Sequence, residues 1–328
     1  MRIRYALLAI LLVLATACQS TTGEEPPAGP AGGTSDAGFP RTIKHAMGET
    51  EIPARPLRVV ALDQTFVDAV LTLDTELVGY TTYRAIEGGK LPDYLEPVLD
   101  QAAQAVPVGS LEEPNLEEIA KLDPDLILSA KVRHEKLYEQ LSAIAPTVFS
   151  ETTGALWKDN LKLAATTLGQ EELAEQRLAD YDQRTKAIGA AIKEKAGTMP
   201  EISIVRFAGE PTIRLYVENS YSGLVLSDVG FVRPKDQPTT QDSIVVDVSP
   251  ENIPDLDAAH IFMATWDDPT AREAQSKIIA NPLWDRLTGT KHEVSDLIWM
   301  SSVGLQGAHA ILDDVAKIFE VDPAADAR

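Results

Sequence analysis

Residues 111–128, LEEPNLEEIAKLDPDLIL, compress a helix start, a helix stop and a buried strand into one short run. Asn115 reads as an N-cap, Glu118 three residues on can close a capping box onto it, and Glu117 places a carboxylate at the positive end of the helix dipole. Ile119 and Leu122 are the expected buried face. Asp123-Pro124 ends the helix, because the residue before a proline is pushed out of the α region, and DLILS at 125–129 is short and apolar in the manner of a parallel-sheet strand. Residues 249–262, SPENIPDLDAAHIF, match residues 115–128 position by position: Ser249 under Asn115, Glu251 under Glu117, Ile253 under Ile119, Leu256 under Leu122, Asp257 under Asp123, Ile261 under Ile127. A unit carried twice predicts two similar lobes.

The flanks of each copy agree. Upstream of the first, VVAL at 59–62 and LVGY at 77–80 read as buried parallel strands around a helix at 65–73, and residues 83–84 leave a strand's carboxyl end, where open α/β sheets bind ligands. Downstream, a helix with Trp157, Leu161, Ala164 and Leu168 at helical spacing stops at Gly169. Leu178, Tyr181, Thr185, Ile188 and Ile192 then keep one apolar face through residues 171–196, a rod of roughly 37 Å at 1.5 Å per residue, long enough to cross between lobes. Strand patterns at 202–207, 213–216, 244–247 and 260–263 follow. A closing amphipathic helix at 307–319 faces Ala310, Ile311, Val315 and Ile318 inward. The expected architecture is two similar three-layer α/β lobes, 41–170 and 197–321, joined by the helix at 171–196, with a tail at 322–328 expected to fray.

The N-terminus addresses the chain to export. Residues 1–17 carry Arg2 and Arg4, an apolar run and small residues up to Cys18, the pattern of a signal peptide. LATAC at 14–18 resembles a bacterial lipobox, which implies that Cys18 becomes a lipidated N-terminus. Residues 18–40, rich in Gly, Pro, Ser, Thr and Ala, read as a flexible tether. The net charge is −21, and no basic cluster could neutralise phosphates, which argues against nucleic acid as a partner.

The lipobox, the RVVAL strand at 58–62, the residue 115–128 block, the single long helix, NPLWDRL at 281–287 and the Trp299 region together resemble the iron-siderophore and vitamin B12 class of ABC-transporter substrate-binding lipoproteins, across essentially the whole mature domain. Residues 206–234 look most like its actinobacterial ferric-siderophore branch. Asp74, where a helix-ending glycine is usual, and Pro254, inside the second copy's helix, depart from the pattern. The resemblance implies a ligand cleft between the lobes, a ferric siderophore whose iron is already saturated by chelator oxygens, no cofactor and no metal held by the protein, a monomer, and anchoring on the extracytoplasmic face of the cell membrane. It also implies that glutamates in the Glu117 and Glu251 slots dock with arginine pockets of two permease subunits.

A ferric siderophore calls for aromatic walls and cationic donors. Tyr83, Arg84 and Arg133 in the first lobe, and Arg206, Tyr216, Tyr221, Trp266 and Trp299 in the second, are the candidates, while Trp157 and Trp284 on apolar stripes read as core. The five histidines are scattered with no metal-ligand spacing. A corrinoid or haem ligand on the same fold is the binding alternative, with Tyr221 or Tyr83 as an axial group. An exported hydrolase is the enzymatic one, against which no Gly-x-Ser-x-Gly elbow, Walker loop or Gly-x-Gly-x-x-Gly is present. Few clustered cations point to a hydroxamate over a more anionic catecholate or citrate.

Overall fold

The computed structural model describes residues 38–83 and 86–325. Cys18, the signal and most of the tether lie outside them, as does Arg84. A hairpin of β1 (Arg41–His45) and β2 (Gly48–Ile52) opens the described chain and leans on the first lobe through Ala46 N–H to Phe149 O at 2.9 Å. The first lobe then builds β3 (Val59–Ala61), α1 (Gln64–Thr72), β4 (Leu77–Thr82), β5 (Val106–Ser110), α2 (Leu116–Lys121), β6 (Leu126–Ala130), α3 (Lys131–His134), α4 (Tyr138–Ser142) and β7 (Thr147–Ser150). Its five strands lie in the order β5-β4-β3-β6-β7, all parallel. The buried runs VVA, LILSA and TVFS occupy its centre and one edge, as a sheet covered on both faces requires.

α5 (Trp157–Leu168) ends at Gly169 in a left-handed conformation, and α6 (Glu171–Ala196) carries the chain across. The second lobe comprises β8 (Ile202–Phe207), β9 (Ile213–Tyr216), α7 (Tyr221–Val229), β10 (Val245–Val248), β11 (His260–Thr265), α8 (Pro269–Ile279), β12 (Thr290–Val294) and α9 (Leu305–Phe319). Its order is β10-β9-β8-β11-β12, with β8, β11 and β12 parallel and β9 and β10 antiparallel to their neighbours. The second sheet is therefore mixed where the first is purely parallel.

One continuous core joins the lobes. It gathers Ala61, Leu126 and Val148 from the first sheet, Ile202, Ile204 and Phe262 from the second, and the buried faces of α1, α5, α6, α7 and α9. α6 and α7 approach so closely that a Cβ on Gly189 would lie 2.1 Å from Val229 O. Arg184, fully buried on α6, donates to Pro323 O, His309 O and Asp313 Oδ1 at 2.8, 3.1 and 2.5 Å. Pro323, placed by its sequence in a fraying tail, is thus tied down by a buried cation.

The two motif copies diverge locally. Asn115 accepts from Glu117 N–H and Glu118 N–H at 3.0 and 3.2 Å, as an N-cap should. The capping box does not close: Asn115 N–H goes to Val108 O at 2.7 Å, and Glu118 takes Lys121 Nζ at 2.6 Å. In the second copy residues Pro250–Leu256 form a 3-10 helix kinked at Asn252, and the Ser249 side chain caps nothing. Pro254 lacks the N–H a longer helix would use, so the turn stays tight. Asp74 adopts φ 50°, the left-handed conformation that a glycine would take.

Candidate functional site

Strand carboxyl ends of both sheets converge on a cavity of about 290 Å³. Gln64, Tyr83, Leu111 and Arg133 line it from the first lobe, and Arg206, Arg214, Trp266, Asp296, Leu297, Met300, Ser301 and Val303 from the second. Arg133 sits in the short helix after β6, and its Nε donates to Asp63 Oδ2 at 3.0 Å. Asp63 is fully buried, and its other oxygen caps α1 by accepting Thr65 N–H at 2.9 Å. One carboxylate thereby fixes both a helix start and a cleft arginine.

On the opposite wall Arg206, near the carboxyl end of β8, donates from Nε and Nη2 to Asp296 Oδ1 and Oδ2 at 2.6 and 2.8 Å, a bidentate pair that locks the guanidinium plane. Its Nη1 reaches Tyr216 OH at 3.2 Å, and its Cζ lies 5.9 Å from the Trp266 ring centroid. Arg214 is the cross-strand partner of Arg206 in the β8-β9 hairpin and pairs with Glu210.

Of the residues picked from sequence, Tyr83, Arg133, Arg206 and Trp266 meet at this cavity. Tyr216 stands behind Arg206 as a support. Tyr221 is buried away from the lining, its OH donating to Gly304 O at 2.7 Å. Trp299 is likewise no part of the lining: it is fully buried, packs 4.8 Å from Phe262 and donates its indole N–H to Asp314 Oδ2 at 2.9 Å. The segment that carries Trp299 is a π-helical turn, Leu297–Ser301, which sends the tryptophan inward and Leu297, Met300 and Ser301 toward the cleft. The aromatic that marks this turn in the sequence, Trp299, is thus one of its two side chains outside the lining, together with Ile298, which packs against the core.

Arg214 was legible. The A-G-E-P-T connection at 208–212 between two strand patterns forms a tight hairpin, and a hairpin places Arg206 opposite Arg214. Tyr83 is 2% exposed, its OH 3.2 Å from Tyr94 OH, and burial holds its phenol well above the usual range.

The floor of the cleft is the joint between the lobes. Asp68, fully buried on α1, accepts N–H bonds from Gln306 (3.0 Å) and Gly307 (3.1 Å), so the first lobe caps the bare N-terminus of α9 in the second. Thr65 Oγ1 donates to Val303 O at 2.7 Å and Gln306 Nε2 to Thr72 Oγ1 at 3.1 Å beside it. A Cβ on Gly304 would lie 2.2 Å from the Asp68 carboxyl carbon, so the joint needs that glycine. Burial pushes the Asp68 carboxyl up to about 6, against the pull of the backbone N–H bonds.

Glu117 and Glu251 are both exposed, and neither carboxylate has an ion-pair partner among the described residues. Among the described residues no cluster of three or more His, Cys, Asp or Glu could hold a metal ion, and no helix is long and apolar enough to cross a membrane.

The "Probable siderophore-binding lipoprotein YfiY" of Bacillus subtilis is 38% identical over 295 residues, covering 85% of this chain and 87% of that protein. The achromobactin-binding periplasmic protein of Dickeya dadantii is 30% identical over 274 residues, covering 80% and 86%. Among solved structures, Staphylococcus aureus SirA complexed with staphyloferrin B superposes with a TM-score of 0.77 at 32% identity, covering 86% of this chain and 99% of that one. Residues 59–293 match the model of the family described as periplasmic binding protein, and the chain belongs to that family.

Proposed function

We propose that this protein captures a ferric siderophore in the interlobe cleft and delivers it to an ABC importer, with a hydroxamate-bearing complex as the favoured ligand. The observation that carries the reading is the pair of facing walls: Arg133 from one lobe, and Arg206 with Trp266 from the other, each guanidinium held in place by a carboxylate. Oriented donors and an aromatic face suit a complex whose iron is already wrapped in oxygens. The relatives' names point the same way. Iron enters only inside its chelator in this reading, and the protein supplies no ligand to the metal and catalyses nothing.

The remaining parts follow from the same reading. Glu117 and Glu251, exposed and without an ion-pair partner among the described residues, on equivalent turns of the two lobes, are the contacts for arginine pockets of the two permease subunits. Cys18 carries the lipid that anchors a monomeric protein to the extracytoplasmic face of the membrane. A haem carrier is disfavoured by the tyrosines: Tyr221 is committed to Gly304 O, and the buried Tyr83 phenol resists the ionisation that axial ligation wants.

Fluorescence titration tests the reading, since Trp266 lines the cavity. Ferric hydroxamates should quench the protein's tryptophan emission saturably, and Trp266→Phe should remove most of the change. Arg206→Ala should weaken binding by about tenfold or more, the loss expected for a charge-assisted bond worth roughly 1.5–3 kcal/mol. Silence toward every ferric siderophore class, a haem absorption band on mixing, or turnover of a chromogenic ester would each displace it.

A further inference from the structure

Among the described residues, the three arginines that line the cleft are matched by carboxylates: Arg133 by Asp63, Arg206 by Asp296 and Arg214 by Glu210. This separates two properties that a cationic pocket usually delivers together. The guanidinium groups keep N–H donors in fixed directions, while their positive potential is largely cancelled. Of the three carboxylates only Asp296 belongs to the cavity lining. Its side chain is 8% exposed and that of Arg206 14%, so neither charge is freely screened by solvent.

We infer that Asp296 is a specificity-determining residue: it caps the negative charge that a bound complex can carry and favours ferric chelates of low net charge that bring a hydrogen-bond donor. The inference rests on the siderophore-capture reading and sharpens it. Arg206 spends Nε and Nη2 on Asp296 and one Nη1 proton on Tyr216, which leaves a single further proton on each Nη to donate. A densely anionic tris-catecholate complex would find few unspent donors on this wall and a carboxylate fixed beside them. A hydroxamate complex brings little charge to repel, and an amide or hydroxyl group on its backbone can donate to a spare lone pair of Asp296. The rejection is built by a like charge, the repulsive element that specific sites add to their attractive contacts.

Glu210 repeats the device more weakly. Its pair with Arg214 is 39% and 31% exposed, so solvent screens it further. A graded series of variants follows from that gradient.

The experiment titrates the full mature chain with three ferric complexes: a neutral tris-hydroxamate, a mixed citrate-hydroxamate and a tris-catecholate. Asp296→Asn keeps the shape and one acceptor for Arg206 but removes the charge. It should move the ratio of catecholate to hydroxamate affinity by about tenfold toward catecholate, and the shift should shrink as salt rises. Glu210→Gln should move the ratio the same way by a smaller factor. Asp285→Asn, exposed and outside the lining, makes the same change in net charge and should leave the ratio where it was. A ratio unchanged in folded Asp296→Asn, or a wild-type chain that prefers the tris-catecholate, overturns the inference while leaving siderophore capture intact. Should Asp296→Asn fail to fold, an unmoved ratio in Glu210→Gln overturns it equally. A wild-type chain that binds none of the three fails the capture reading itself, and the inference falls with it.

Discussion

The two lobes carry the same sequence unit and solve it differently. In the first, Asn115 caps a regular helix and the strand that follows enters an all-parallel sheet. In the second, Pro254 shortens the turn to a kinked 3-10 helix, Ser249 caps nothing, and the sheet is mixed. What survives the divergence is instructive: the apolar pair, buried Ile119 with half-buried Leu122 in one copy and buried Ile253 with buried Leu256 in the other, and the exposed glutamate between cap and pair. The apolar pair is explained by packing. Stabilisation of a helix dipole could explain Glu117, but Glu251 has only a short, kinked turn to stabilise, and dipole effects need aligned peptides. A carboxylate kept where its local benefit has vanished supports the docking role.

Charge reversal therefore has the largest expected effect. Glu117→Arg and Glu251→Arg should each leave siderophore affinity unchanged in titration and abolish siderophore-dependent iron uptake by cells carrying the variant. Weakened affinity would return both residues to the cleft's account. Uptake lost with only one of the two would make docking one-sided, and the likeness of the lobes would then be structural alone.

Next comes the joint that the lobes share. Asp68→Ala strands the Gln306 and Gly307 N–H groups in the core, with an expected loss on the order of 3 kcal/mol in a melting experiment. Asp68→Asn keeps an acceptor and should cost far less. The pH dependence identifies the group. The folded protein holds the Asp68 proton up to about pH 6, whereas an unfolded aspartate releases it near 3.8. The folded state binds more protons between those values, so stability from this group is fully present at the acid end and is lost as pH rises through 6, by roughly 3 kcal/mol in all. The histidines tilt the other way: burial lowers His45, His134, His260 and His292, so their contribution is present above the unfolded value of 6.5 and is lost as pH falls from there through their lowered folded values. Subtracting the stability profile of Asp68→Asn from that of the wild type should isolate the aspartate slope.

How far the sequence could be read follows the same divide. The first lobe's central strands are continuous apolar runs buried on both faces, so their pattern alone fixes them as parallel-sheet strands. β10 is an edge strand with Val245 and Val246 half-buried and Asp247 exposed, and its antiparallel course comes from pairing with β9, which no local pattern records. In the cleft, arginines after strand ends were legible as donors. Their carboxylate partners were not, since Asp63 and Asp296 lie 70 and 90 residues from the arginines they hold. The gathering of Arg133, Arg206 and Arg214 at the cavity corrects the expectation of few clustered cations, and each of these three charges is answered in place by a carboxylate.

The smallest effects test the caps themselves. Asn115→Ala removes the acceptor for two N–H groups and should cost about 1 kcal/mol, while Ser249→Ala should cost a few tenths at most, because that hydroxyl makes no cap bond. Glu118 decides between two accounts of the first copy. Were the capping box closed, Glu118→Ala would free the Asn115 N–H and cost as much as the cap residue. With that N–H held by Val108 O and Glu118 in an exposed pair with Lys121, the loss should stay near 0.3 kcal/mol and fade with added salt. The strand before α2, and not the helix's own side chain, then anchors the start of the unit, which explains how the second copy could lose its cap chemistry and still present its glutamate.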